Sequence, residues 1–275
     1  MTQLIPKRRR YATLISGIAL SAALSLSPVS PARAADEAPS AANLAAQLAA
    51  KEEGIALVRL RLDSKGADGG AGLSLQIQIK ERRAKNSAEV VYQILWPKER
   101  KGESVLLRKA PGRAATGTLF TPPDKTRPIT ANQMNDGLFG SDLTYEDVIE
   151  NFFAWESQTI AGSEAVNGVN CTILESKPGK GDHSSYTSVR SWIDPKRIVP
   201  LRVEKYSAPG RVARRIDTTR VASDDNGKPI PANLAVRGGK DGSVTELDGS
   251  KIKHDVNFTD RDFSPEGLGD LTPPK

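Results

Sequence analysis

The 275-residue chain contains two histidines, His183 and His254, and a single cysteine, Cys171, so its capacity for nucleophilic and acid–base chemistry is narrow. A serine or cysteine nucleophile needs a positioned base beside it. His183 lies in the loop Lys177-Pro178-Gly179-Lys180-Gly181-Asp182-His183-Ser184, which has no nucleophile pattern, and the chain has no G-x-S-x-G elbow. His254 alternates with Ile252, Val256 and Phe258, which turns it toward the apolar side of a strand as a hydrogen-bonded, half-buried group. Cys171, at alternating positions with Val169 and Ile173, reads as an inert core thiol, and as the only cysteine it forms no internal disulfide. One cysteine and two distant histidines do not make a zinc spacing. Asp224-Asp225-Asn226-Gly227 lacks the ligand positions of a calcium loop and reads as a hairpin turn. There is no phosphate-binding or dinucleotide-binding glycine pattern. Asp260 and Asp262 are a pair of acids of the kind every protein carries. These residues predict a protein that is not an enzyme and uses no metal or cofactor.

The elements that would position any site are mostly strands. Leu73, Leu75, Ile77 and Ile79 alternate with Ser74, Gln76 and Gln78, and Val90, Tyr92, Ile94 and Trp96 repeat the pattern up to Pro97. Strict period-two alternation marks strands with one apolar and one wet face. On that reading Gln76 and Gln78 tolerate lysine while Ile77 does not. Further strands are expected at 55–62, 104–108, 117–121, 169–175, 188–194, 199–206, 211–221, 230–237, 243–247 and 252–258, joined by turns that favour antiparallel pairing. Asp68-Gly69-Gly70 marks one such turn. Ala41 to Glu53, with Leu44 and Leu48 one turn apart, predicts a helix ended by Gly54. Thr121 to Gly140 reads as an irregular connection. It leads to a helix from Thr144 to about Trp155: Thr144 and Asp147 resemble a capping box, Leu143 and Val148 a hydrophobic staple. Tyr145, Val148, Ile149, Phe152 and Phe153 supply its apolar face, and its long tether suggests a movable lid. The result is one long, curved antiparallel sheet with one or two helices.

The N-terminus reads as a signal peptide spanning residues 1–34. Lys7 to Arg10 precede an uncharged apolar run from Leu14 to Leu26, and Ala32-Arg33-Ala34 offers a cleavage site. Arg8-Arg9-Arg10-Tyr11 faintly resembles a twin-arginine signal, but general secretion is the preferred reading. The segment holds five of the basic residues and no acid, so the formal charge of +6 falls to +1 in the mature chain, residues 35–275. No nucleic-acid footprint remains; the clusters Lys80 to Arg83 and Arg211 to Arg215 read as solvated strand edges. A sheet with one apolar face must close on itself, pack on a partner or hold an apolar ligand.

Several segments in order settle that choice by resemblance. Gly140-Ser141-Asp142-Leu143-Thr144-Tyr145-Glu146-Asp147-Val148 resembles a signature of the outer-membrane lipoprotein-sorting protein family, which has a LolA-like fold. Val90 to Lys98, Gly117 to Phe120, Trp192-Ile193-Asp194-Pro195 with Val199 to Tyr206, and Thr245-Glu246-Leu247 through Asp262-Phe263 are similar to its later segments. The resemblance covers roughly Leu44 to Leu268. It implies a mainly β protein, an incomplete antiparallel barrel wrapped over two or three helices, that carries lipid or lipoprotein acyl chains between inner and outer membranes without catalysis. The partners so implied are the cargo, an inner-membrane transporter and an outer-membrane acceptor. Leu75, Ile77, Ile79, Tyr92, Ile94, Trp96, Leu119, Phe152, Phe153 and Trp192 are the expected lining of the apolar cavity. An envelope adaptor that uses its sheet face for a protein partner is the alternative. The first expected outcome concerns export: the intact mass of the periplasmic form corresponds to a chain starting near Ala35. A species in the inner membrane that retains Met1 to Ala34 contradicts it.

Overall fold

The computed structural model describes residues 40–66, 72–238 and 242–272. The predicted signal peptide and the Asp68-Gly69-Gly70 turn lie outside them. After helix α1 (Ala41–Lys51) come six strands: β1 (Gly54–Lys65), β2 (Leu73–Ala84), β3 (Ser87–Trp96), β4 (Ser104–Lys109), β5 (Thr116–Thr121) and β6 (Lys125–Ile129). A short helix α2 (Tyr145–Ile149) separates them from β7 (Ser157–Val166), β8 (Val169–Lys177), β9 (Ser188–Asp194), β10 (Val199–Ala208), β11 (Arg211–Ser223), β12 (Pro229–Arg237) and β13 (Val244–His254). The thirteen strands among the described residues form one antiparallel sheet in the order β6-β5-β4-β3-β2-β1-β13-β12-β11-β10-β9-β8-β7. β6 and β7 are its two edges, so the sheet is not closed into a barrel. The expected mainly β architecture is present. β6, however, falls in the stretch read as an irregular connection and β7 in residues given no element, because both are polar edge strands with little alternation to detect.

Period two sorts the side chains onto two faces. On the concave face Leu62, Leu75, Ile77, Ile79, Val90, Tyr92, Ile94, Val105 and Leu107 pack against Met134, Leu138, Leu143, Tyr145 and Ile149. The opposite face over β2–β4 is not wet, as alternation alone implied. The C-terminal segment lies across it, with Phe258, Phe263 and Leu268 against Val91, Leu106 and Phe120. Gln76 is exposed, but Gln78 is fully buried. Gln78 Nε2 donates to Gln93 Oε1 at 2.9 Å and to the Leu271 carbonyl at 3.2 Å. Gln93 Nε2 donates to the carbonyls of Leu268 and Asp270, and Ser104 Oγ to that of Leu268. Lys80, read as a solvated edge residue, is also fully buried and pairs with Asp262 at 2.9 Å. These polar residues are not a solvent face; they are side-chain donors for a strap of irregular backbone that has no strand to pair with.

Two more expectations are corrected. The helix from Thr144 has the predicted capping box: Thr144 Oγ1 accepts from the Asp147 amide at 3.0 Å and Asp147 Oδ2 from the Thr144 amide at 2.9 Å. But the helix ends at Ile149, and a separate 3-10 turn spans Phe152–Ala154. The two phenylalanines bury against different partners, Phe153 on α1 and Phe152 also toward Trp155 and Val189, and that demand overrides a helical spacing of limited intrinsic stability. The two strands expected at 243–247 and 252–258 are one strand, β13, which bulges opposite Arg59 and Leu60 and stops at His254.

The strap makes stability depend on a buried charge. Burial pushes the Asp262 carboxyl up, but Lys80 and the amide and hydroxyl of Thr259 pull it below the ordinary range. Its contribution is therefore present above the unfolded Asp pKa of about 3.9 and is lost as the pH falls through the lower folded value. Asp262→Ala leaves Lys80 buried without its counter-charge. The expected loss in urea unfolding is about 3 kcal/mol, the lower end for a broken buried pair, since Asp262 is a fifth exposed. Lys80→Met is expected to cost less, because no charge is then stranded.

Candidate binding cavity

The concavity is divided between two fillings. Under β2–β6 it is packed by α2 and the 3-10 turns before it. Under β7–β9 it is filled by α1, whose Leu44, Ala45, Leu48 and Ala49 meet Phe153, Leu174 and Ile193. Ser40 caps that helix by accepting from the Asn43 amide. At its other end Lys51 Nζ donates to the carbonyls of Arg197, Ile198 and Pro229 at 2.9–3.3 Å, tying it to the β9–β10 turn and the start of β12. Burial draws the Lys51 amine below its ordinary pKa, with Asp224 opposing.

Between α1 and the central strands remains a cavity of about 920 Å³. Its apolar wall is Leu48, Ala56, Val58, Leu60, Phe153, Leu234, Leu247 and Ile252, and Lys51, Glu52, Asp224, Lys228, His254 and Asp255 also line it. That volume falls within the roughly 300–1,000 Å³ of small-molecule sites. His254 is bound through Nδ1 to Asp225 and is half-buried, as expected, and Cys171 is a buried free thiol whose pKa burial raises.

Of the residues expected to line a cavity, Phe153 does so. Leu75, Ile77, Ile79, Tyr92 and Ile94 share the same concave face but are covered by α2 and its approach, with Leu119 partly buried beside them. Phe152 packs edge-on to Trp155. The two tryptophans lie elsewhere. Trp96 is half exposed, because the pairing of β2 with β3 slips at Gln76 and sets Trp96 opposite that residue, off the concave row. Trp192 points to the convex side, packed with Cys171, Val199 and Leu201, its Nε1 donating to Glu164 Oε2 at 2.9 Å. Val58, Leu60, Leu234 and Leu247 were missed. Their strands were legible, but only the pairing of β1 with β13 makes them neighbours.

α2 is not on a loose tether. Asp147, with no exposed side-chain surface, pairs with Lys205 at 2.9 Å and Arg214 at 3.2 Å, and the Tyr186 hydroxyl donates to it at 2.7 Å. Arg83 donates to the Val148 carbonyl at 2.8 Å, Lys109 pairs with Glu150 at 2.6 Å, and Ser184 and Ser185 donate to Glu146. These contacts anchor α2 to strands on both sides as a fixed strut. The clusters expected as solvated edges, Lys80 to Arg83 and Arg211 to Arg215, instead supply buried Lys80 and the mostly covered Arg83 and Arg214 to such pairs. Burial opposes ionisation of Asp147, yet Lys205 and Arg214 hold its carboxyl below the ordinary range.

An open antiparallel sheet wrapped over short helices, with an apolar cavity on its concave side, defines the fold class as LolA-like. Three solved structures share it. A DUF1329 family protein from Desulfovibrio piger superposes with a TM-score of 0.75 at 21% identity, over 83% of this chain and 97% of that one. A putative outer membrane lipoprotein-sorting protein domain from Vibrio parahaemolyticus gives 0.71 at 19%, over 82% and 97%. A LolA superfamily protein from Nitrosomonas europaea gives 0.66 at 19%, over 82% and 98%. No curated protein matches by sequence. A family model described as an uncharacterized protein matches residues 86–270, and the chain belongs to that family.

Asp147 is the test of the strut. Asp147→Asn is expected to destabilise the protein by about 3–5 kcal/mol in denaturant unfolding, because Lys205 and Arg214 are then buried without a counter-charge. A loss under 1 kcal/mol would return α2 to the status of a lid.

Proposed function

We propose that this protein is a non-catalytic periplasmic carrier that holds an acyl chain of a lipid or lipoprotein in the 920 Å³ cavity while it crosses between membranes. The observation that carries this reading is an apolar concavity left unfilled beside an otherwise packed core. The transport problem is energetic: at about 0.8 kcal/mol per methylene, exposing a myristoyl-length chain to water costs roughly 10 kcal/mol. The N-terminal export signal supports a periplasmic location, and a structural neighbour titled a putative outer membrane lipoprotein-sorting protein domain supports the class of cargo. In this reading the chain first meets Val58, Leu60, Leu247 and Phe153. Leu75, Ile77, Ile79, Tyr92 and Ile94, with Leu119, are the wall behind α2 that shapes the concavity, and Phe152 backs Phe153. An inner-membrane transporter would load the carrier and an outer-membrane acceptor would unload it.

Native mass spectrometry of protein taken from its own envelope is expected to show a lipid-sized adduct, and the delipidated protein is expected to bind a fluorescent fatty acid. Leu60→Trp places an indole in the cavity and is expected to weaken that binding at least ten-fold with the melting temperature kept. Absence of both adduct and binding would overturn the carrier and leave an adaptor that uses its surface alone.

A further inference from the structure

The convex side of β10–β12 carries a second feature, independent of the cavity. Leu234 lines the cavity and pairs with Thr218, so the next residue, Asp217, and its cross-strand partner Arg202 point to the opposite face. There Arg215 and Arg237 are set directly opposite each other on β11 and β12. Like charges in that position repel. Asp217 is the carboxylate shared by three guanidiniums: Arg202 at 3.2 Å, Arg215 at 2.9 Å and Arg237 at 2.8 Å. Two further acids flank the arginines, Glu164 beside Arg202 and Glu204 opposite Arg215 in the β10–β11 pairing, and each also holds a second partner. Glu164 is 3.7 Å from Arg202 and accepts from the Trp192 indole, and Glu204 accepts from the Tyr206 hydroxyl at 2.6 Å. Arg202 is steadied from below by the Trp192 ring, 5.4 Å away. The three arginines, with Asn167 and Thr219, line a depression of about 420 Å³, so its lining carries three positive charges and one negative. Asp217 is recessed, whereas Arg215 and Arg237 are 39% and 50% exposed and keep outward N–H groups.

We propose that this depression binds a phosphate oxyanion. Guanidinium forks match phosphate oxygens two at a time, and Asp217 holds the forks side by side instead of letting repulsion splay them. Both a phospholipid head group and free inorganic phosphate present this chemistry. On a membrane the site would seat the convex face on the bilayer with the cavity turned away from it.

The test uses the purified protein with vesicles of phosphatidylglycerol or phosphatidylcholine at low salt, and in parallel a titration with inorganic phosphate followed through arginine Nε–H resonances. Sedimentation with phosphatidylglycerol vesicles is expected to fall roughly five-fold for Arg215→Gln or Arg237→Gln, the equivalent of about 1 kcal/mol for one basic side chain at an anionic surface. Arg113→Gln, in the exposed β4–β5 turn, removes the same charge elsewhere and is expected to change nothing. Leu60→Trp, which fills the cavity, is also expected to leave vesicle binding intact, so this result stands apart from that of the carrier. Loss on vesicles identifies the head group as the source; saturable phosphate shifts without vesicle binding identify free phosphate. No response to either probe, or an equal loss in Arg113→Gln, overturns the site.

Discussion

The pairing of β1 with β13 is the contact on which the molecule depends. It joins residues 54–65 to residues 244–254, nearly the full length of the domain apart, and makes one sheet out of two halves that otherwise share no strand. Such a pairing carries a large loop-closure cost before any contact rewards it. Its bulge at Arg59 and Leu60 bends the sheet at the centre. There Val58, Leu60, Leu247 and Ile252 come to line a cavity.

A sheet this wide has two faces to cover and few helices to cover them. The chain solves the two sides differently. On the concave side short helices bring apolar side chains but also leave helix ends and carboxylates inside, and Arg83, Lys205 and Arg214 neutralise them. On the convex side a strap of two short 3-10 turns and extended chain is held by Gln78, Lys80, Gln93 and Ser104, which donate to its carbonyls and to Asp262. In both places buried charge sets the geometry. Removing one partner of such a pair is far more damaging than its net contribution to stability suggests.

This frame also explains why the cavity lies where it does. The sheet at β2–β4 is packed on both faces, whereas α1 covers the other end with small residues, Ala45 and Ala49 among them, and leaves space beside Leu48. Lys51 keeps that helix from sliding into the space by binding three carbonyls on the far side. The two sheet edges differ as well: β6 is short and bears Lys125, Arg127 and Pro128, features that discourage further pairing, whereas β7 is ten residues long.

Much of this was legible in one dimension. Alternation at Leu73 to Ile79 and Val90 to Ile94 placed two central strands and their apolar side, because side-chain direction in a strand depends only on parity. The capping box at Thr144 and Asp147 marked where α2 begins, because capping is settled within four residues. Where α2 ends, that Gln78 and Lys80 are buried, and that Trp96 and Trp192 leave the concave row were decided by tertiary structure. Each depends on what lies opposite: the C-terminal strap, a slipped register at Gln76, and two clusters, of which Phe153 joins one and Phe152 touches both. The apolar pattern by itself determined that a concave face exists. Which part of it is packed and which part stays open was settled only when α1, α2 and the β1–β13 pairing met, since a cavity is the space that distant segments fail to fill and no single segment encodes it.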